Sequence, residues 1–198
     1  MHDDTTKPAP STQVLNVPNA LTAARLVLSI VLFVLLSLPN PQFMAALILF
    51  AVAASTDWVD GWWARRYNQV TQLGRIFDPF VDKIIICGTF VFLAAFPNSG
   101  LAPWMAVLVL GRELLVTALR GFLEQQGKDF SASFSGKLKM GFQCAAAIAC
   151  FWQLHWDAVY PEHPLPGWWS WVLAALVWLA VLSTIYSGAG YVMRAAEL

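Results

Sequence analysis

Six apolar runs of roughly bilayer-spanning length divide this chain, at 19–38, 43–64, 79–96, 103–123, 134–156 and 168–193. A spanning helix needs about 20 such residues, and only a helix satisfies its own backbone N–H and C=O groups inside lipid. Short breaks separate the runs: Pro39-Asn40-Pro41, the polar stretch 65–74, Pro97-Asn98-Ser99-Gly100, residues 124–133 and the proline-rich 161–167. With 58% hydrophobic and 12% charged residues, the chain is not a soluble globular domain. The expectation is an all-α integral membrane protein: a disordered polar tail at 1–12, then one domain of six transmembrane helices over 13–198. The tail has no basic segment leading directly into an apolar core and cleavage site, so it is not expected to be a signal peptide.

Charge asymmetry orients the bundle. The breaks at 39–41, 97–103 and 155–167 contain no Lys or Arg, while all twelve basic residues lie near the other connections, the two termini or the adjoining helix halves. Because Lys and Arg accumulate on the cytoplasmic side, both termini are expected there. A nucleic-acid partner is not implied, since no basic stripe with interleaved aromatics lies on a soluble face.

Four of the twelve acidic residues fall in one window, DWVDGWWARRYNQVTQLGRIFDPFVD, between Asp57 and Asp82. Asp57 and Asp60 are three apart and Asp78 and Asp82 four apart, so each pair shares a helix face. Two helices joined by a short connection are expected to be antiparallel neighbours, which gathers the four carboxylates at one membrane surface. Charge at membrane depth costs about 2.5 to 3.5 kcal/mol per residue on insertion scales, so something cationic is expected among them. Hard oxygen donors without neighbouring His or Cys favour Mg²⁺ or Mn²⁺, and four carboxylates suffice for two ions. Gly61 and Gly74 let a nucleotide or pyrophosphate approach the backbone, and Arg65 can meet a phosphate oxygen.

A second polar group lies in GRELLVTALRGFLE and SGKLKM, with Arg112, Glu113, Arg120, Lys137 and Lys139. Arg112 and Arg120 are eight apart, on roughly one helix face. Ordinary positive-inside charge with snorkelling side chains accounts for Arg120 and Lys139 as well as function does. Arg112, deeper and beside Glu113, is expected to face inward in a paired or functional role. Such a cluster could receive an anionic second substrate.

Other candidates carry less. Cys87, Cys144 and Cys150 lie in apolar runs without CxxC spacing and behave there as small hydrophobes. His155, Asp157, Glu162 and His163 could bind a metal, yet a solvated proline-rich loop explains them equally. Trp104, Trp152, Trp156, Trp168, Trp169 and Trp171 fall at expected helix ends, as an interfacial aromatic belt does.

The run Asp57-x2-Asp60-Gly61-x2-Ala64-Arg65-x8-Gly74-x3-Asp78-x3-Asp82 resembles the complete signature of the CDP-alcohol phosphatidyltransferases, eight positions over 26 residues. The six-helix layout resembles that family over nearly the whole chain. The resemblance implies an enzyme that displaces CMP from a CDP-linked lipid with the hydroxyl of a second alcohol, using divalent metal. It further implies a homodimer in the inner membrane with its active site on the cytoplasmic face. The stretches PNALTAARLVLS, GRELLVTALRGFLEQQGK and SGKLKM are similar to the branch that joins CDP-diacylglycerol to sn-glycerol 3-phosphate.

On this resemblance Asp57, Asp60 and Asp78 are metal ligands, and Asp82 is the general base and a further ligand. Gly61, Ala64, Arg65 and Gly74 line the nucleotide site together with Asp57 and Asp60, and Asn19, Thr22 and Arg25 are further candidates nearby. Arg112, Arg120, Lys137 and Lys139 fit the acceptor phosphate, which needs cationic donors that serine would not. Alternative acceptors are an inositol phosphate, phosphatidylglycerol and serine. Outside enzymes, a divalent-cation transporter could carry four aspartates, but its site would be expected nearer the midplane.

Overall fold

In the computed structural model, residues 17–67, 72–125 and 134–196 are described. They form six α-helices and no strand: α1 (Val17–Ser37), α2 (Phe43–Tyr67), α3 (Gln72–Ala94), α4 (Pro103–Gln125), α5 (Phe134–Val159) and α6 (Gly167–Ala196), with one 3-10 turn at Pro97–Ser99. Proline punctuates the ends. Pro39 and Pro41 follow α1, Pro97 opens the turn, Pro103 opens α4 where its missing N–H is harmless, and Pro164 and Pro166 precede α6. The expected tail at 1–12 lies outside the described residues.

One boundary differs from the expectation. In the polar stretch 65–74 residues 65–67 still belong to α2 and 72–74 already to α3, so α3 begins at Gln72 and runs through Pro79 instead of starting there. The proline withholds one backbone hydrogen bond inside the helix. Its own carbonyl accepts a hydrogen bond from Lys83 Nζ at 2.9 Å.

Among the described residues α1 packs extensively against both α2 and α3, which also meet each other; α5 packs against α6 and α2, and α4 against α6 and α3. The α1 and α3 helices approach closely at Gly88, where an added Cβ would come within 2.3 Å of the Phe33 ring. Phe33 stacks on Phe92 one turn further along, with centroids 5.0 Å apart. This close seam holds α1 in register on α3, two turns from the site built by Arg25 and Asp82.

The distribution of polarity is that of a membrane protein. Val107 on α4 is 67% exposed and Trp171 on α6 80%, whereas Arg25 is 2% and Gln143 1% exposed. Two helices are long and apolar enough to cross a bilayer among the described residues, at Ala20–Ser37 and Gly167–Ala195, and the apolar part of α2, Phe43–Thr56, is shorter. The helices between carry charge among the described residues: Asp82 and Lys83 on α3, Arg112, Glu113 and Arg120 on α4, Lys139 on α5.

The core is continuous and mainly aliphatic and aromatic. Phe50, Phe90 and Phe151 are completely enclosed, with Leu32, Leu93, Val109, Val177 and Val181 around them. Burial of side chains of this size is worth about 1.5 to 3 kcal/mol each in water, although lipid offers them nearly as good a home. Close packing therefore carries more of the association than desolvation does.

Candidate functional site

The charged residues converge at the end of the bundle made by the C-terminal halves of α2, α4 and α6 and the N-terminal halves of α1, α3 and α5. Asp82 comes from the third turn of α3. Its carboxylate forms an ion pair with Arg25 of α1, whose guanidinium is fully buried. The Arg25 backbone carbonyl accepts the Ser29 hydroxyl at 2.8 Å within α1. The cation expected among the carboxylates is thus supplied, for Asp82, by the first helix. Thr22, one turn before Arg25, is buried at the same level.

Asp57 and Asp60 occupy the C-terminal part of α2, and Asp78 sits one turn before Asp82 on α3. The two pairs lie on α2 and α3 on either side of residues 68–71. The side chains of Asn19, Asp57, Asp60, Ala64, Arg65, Asp78 and Lys137 lie outside the described residues. Gly61 and Gly74 are backbone positions within α2 and α3.

The second group is assembled around Glu113. Its Oε1 accepts Arg112 Nη1 at 3.2 Å and is paired with Lys139 Nζ from α5. Lys139 is buried and paired across helices, so it is not a snorkelling surface lysine. Arg112 also donates to the Ser187 hydroxyl of α6, and its guanidinium lies over the Tyr191 ring, 5.5 Å from the centroid. Gly188 makes room for it: a Cβ there would stand 3.1 Å from Arg112 Cγ. Arg120, two turns on, donates to Tyr191 Oη at 3.3 Å. The eight-residue spacing therefore places both arginines on one tyrosine, and both retain a buried Nε without a hydrogen-bond partner among the described residues.

Between the two groups is a cavity of about 180 Å³ lined by Pro79, Asp82, Lys83, Ile86, Glu113, Lys139, Met140 and Gln143. Asp82 forms one wall, and the Glu113–Lys139 pair another. Lys83 and Gln143 belong to this cavity but do not stand out in the sequence. Lys83 reads there as one more positive-inside charge, and Gln143 as a lone polar residue in an apolar helix. Gln143 Nε2 donates to Thr184 Oγ1 of α6 at 3.0 Å, a pairing 41 residues apart that no local pattern announces.

The weaker candidates stay apart from the site. Among the described residues no three His, Cys, Asp or Glu side chains gather closely enough to share an ion, so His155, Asp157, Glu162 and His163 do not form one group. Gln153 donates to Asp157 at 2.9 Å and the Trp156 indole to the His163 carbonyl at 2.7 Å, which ties down the 160–166 loop. Cys87 and Cys150 are buried, free thiols. Trp152, Trp156, Trp168, Trp169 and Trp171 collect with Trp104 at the end of the bundle opposite Asp82.

Known proteins resemble this chain over most of its length. The sequence profile of the CDP-alcohol phosphatidyltransferases matches residues 15–186. A Bacillus subtilis protein named CDP-diacylglycerol--glycerol-3-phosphate 3-phosphatidyltransferase is 33% identical over 192 residues, covering 89% of this chain and 93% of its own length. Proteins of the same name from Shigella flexneri and Pectobacterium atrosepticum are 35% and 32% identical, covering 91% and 87% of this chain and 94% and 90% of their own.

Proposed function

The chain belongs to the CDP-alcohol phosphatidyltransferase family, and we propose that it transfers the phosphatidyl group of CDP-diacylglycerol to sn-glycerol 3-phosphate. CMP is released and phosphatidylglycerophosphate is formed, a step towards phosphatidylglycerol and cardiolipin. The observation that carries the assignment is the cavity that joins Asp82 to Lys83, Lys139 and Glu113. At about 180 Å³ it is smaller than the roughly 300 to 1,000 Å³ of drug-sized sites, and it suits a three-carbon phosphate better than a lipid.

In this mechanism the acceptor phosphate is met by cations from α4 and α5: Arg112, Lys137 and Lys139, with Arg120 behind them. Charge-assisted hydrogen bonds to phosphate are the strong ones, and of these cations Lys139 lines the cavity itself. The 1-hydroxyl of the acceptor lies toward Asp82, which takes its proton as that oxygen bonds to the β-phosphorus and the bond to CMP breaks. Arg25, paired with Asp82, would orient that carboxylate and stays a nucleotide-site candidate of α1. Gly61, Ala64, Arg65 and Gly74 would line the nucleotide site, with Asn19 and Thr22 of α1 beside them.

Asp57, Asp60 and Asp78, together with Asp82, would hold two divalent ions, Mg²⁺ or Mn²⁺. The donor set fits, because two carboxylate pairs in helical register flank one short connection and offer only hard oxygen. When bound, such ions neutralise the pyrophosphate and stabilise charge on the attacking and leaving oxygens.

We further propose that all six helices cross the inner membrane, that both termini and the charged end face the cytoplasm, and that the protein works as a homodimer. Support for the orientation comes from the basic residues, which avoid the opposite end. Placing the chemistry in the membrane lets the diacyl chains stay in the bilayer throughout. An acceptor panel tests the substrate assignment: purified protein given CDP-diacylglycerol should release CMP with glycerol 3-phosphate, and not with serine, inositol phosphate or phosphatidylglycerol. Preference for any of the other three would replace it.

A further inference from the structure

Glu113 is out of place in a site for a phosphate. It lines the cavity, its charge repels an anionic substrate, and it sits on the same wall as Lys139. Both of its ion pairs, to Arg112 and Lys139, fall on Oε1. Oε2 has no partner among the described residues. A carboxylate oxygen left over in a small cavity needs a donor, and the phosphate has none to offer.

Taking the acceptor to be glycerol 3-phosphate, on which this inference rests, the substrate brings two hydroxyls. The 1-hydroxyl belongs to Asp82, and the 2-hydroxyl needs an acceptor of its own. Of the described cavity residues, three carry side-chain acceptors: Asp82, Glu113 and Gln143. Gln143 is almost wholly enclosed and offers only a neutral amide oxygen, its Nε2 donating to Thr184, whereas Glu113 offers a charged oxygen. We propose that Glu113 is a specificity-determining residue, accepting the hydrogen bond of the acceptor's 2-hydroxyl through Oε2 while Oε1 holds Lys139 and Arg112 for the phosphate. One side chain would then set both the spacing of the cations and the position of the hydroxyl. With Asp82 at the 1-hydroxyl, this makes three separate attachments to one small molecule, the minimum that distinguishes its two enantiomers.

The test compares glycerol 3-phosphate with its 2-deoxy analogue, 3-hydroxypropyl phosphate, in CMP release by the full-length protein. A charge-assisted hydrogen bond predicts that the wild type prefers the natural acceptor by about 10-fold to 150-fold in kcat/KM. In Glu113→Gln, and more fully in Glu113→Met, this preference should collapse to a few-fold or less, whatever happens to absolute turnover. Where turnover is too low to read, calorimetric binding of the two acceptors gives the same ratio. An undiminished preference in both variants overturns the proposal and leaves Glu113 as a counterion for Lys139. A preference lost in Gln143→Met but kept in Glu113→Gln overturns it in favour of the amide. If the wild type used neither acceptor while releasing CMP to another alcohol, the substrate assignment would fail first, and this inference with it.

Discussion

The two ends of the helix bundle are built on opposite principles. At one end Arg25 pairs with Asp82, Glu113 joins Arg112 to Lys139, and Gln143 bonds to Thr184, all between different helices or across a cavity. At the other, Phe43 packs edge-on against Phe96 at 5.1 Å, Phe50 against Phe151 at 5.9 Å, and Trp156 against Tyr160 at 4.7 Å. Ring packing dominates the aromatic end, with the Gln153–Asp157 and Trp156–His163 hydrogen bonds pinning its loop. The charged end carries groups that are costly to bury and are tolerated only when paired, so its cost is explained by chemistry and not by stability.

The sharpest way to break this contrast is to remove the ions. If the four aspartates act through divalent metal, EDTA should abolish CMP release, and Mg²⁺ or Mn²⁺ should restore it; full turnover in EDTA would sink the two-ion assignment. Next in size is Asp82→Asn. It keeps shape but cannot take a proton, so kcat should fall about 10²-fold or more while nucleotide binding survives. Asp57→Asn should instead weaken CDP-lipid binding along with turnover, and calorimetric titration of CDP with Mg²⁺ separates the two. Equal loss of binding in both would make Asp82 chiefly a ligand.

Smaller and more selective effects are expected from the acceptor cations. Arg112→Ala or Lys137→Ala should raise the KM for glycerol 3-phosphate about 10-fold to 150-fold, with little change in the KM for CDP-diacylglycerol. A parallel rise for both substrates would instead assign Arg112 to holding α4 on α6 through Ser187 and Tyr191. The aromatic end should answer in the reverse manner. Phe151→Ala, which empties an enclosed position, should cost about 3 to 5 kcal/mol of stability, read as faster thermal inactivation in detergent, and leave both KM values unchanged. Least of all, Thr184→Val should cost about 1 to 3 kcal/mol, since it leaves the buried Gln143 Nε2 without its acceptor.

Much of this contrast is legible in the chain itself. Apolar runs and proline breaks mark the six helices, and the fixed spacings within 57–82 and between Arg112 and Arg120 translate directly into shared helix faces. What spacing cannot express is which helices touch. Arg25 and Asp82 are 57 residues apart, and Arg112 and Ser187 are 75 apart. Both contacts depend on which helices pack together, α1 beside α3 and α4 laid along α6. Gly88 and Gly188 are the local signals for these close approaches, and each is one glycine among twelve. Lys83 and Gln143 were hidden for a similar reason, because they matter only through a cavity that three helices share. The start of α3 was obscured by the habit of Pro79, which usually ends a helix and here sits inside one.

The most direct test of the central claim follows both products in one reaction. Purified protein in detergent, with CDP-diacylglycerol, Mg²⁺ and radiolabelled sn-glycerol 3-phosphate, should release CMP in one-to-one proportion with label entering the lipid fraction, and Asp82→Asn should lose both together. CMP release without label incorporation, or label incorporation undiminished in Asp82→Asn, would contradict the assignment of the charged end as the site where the acceptor attacks.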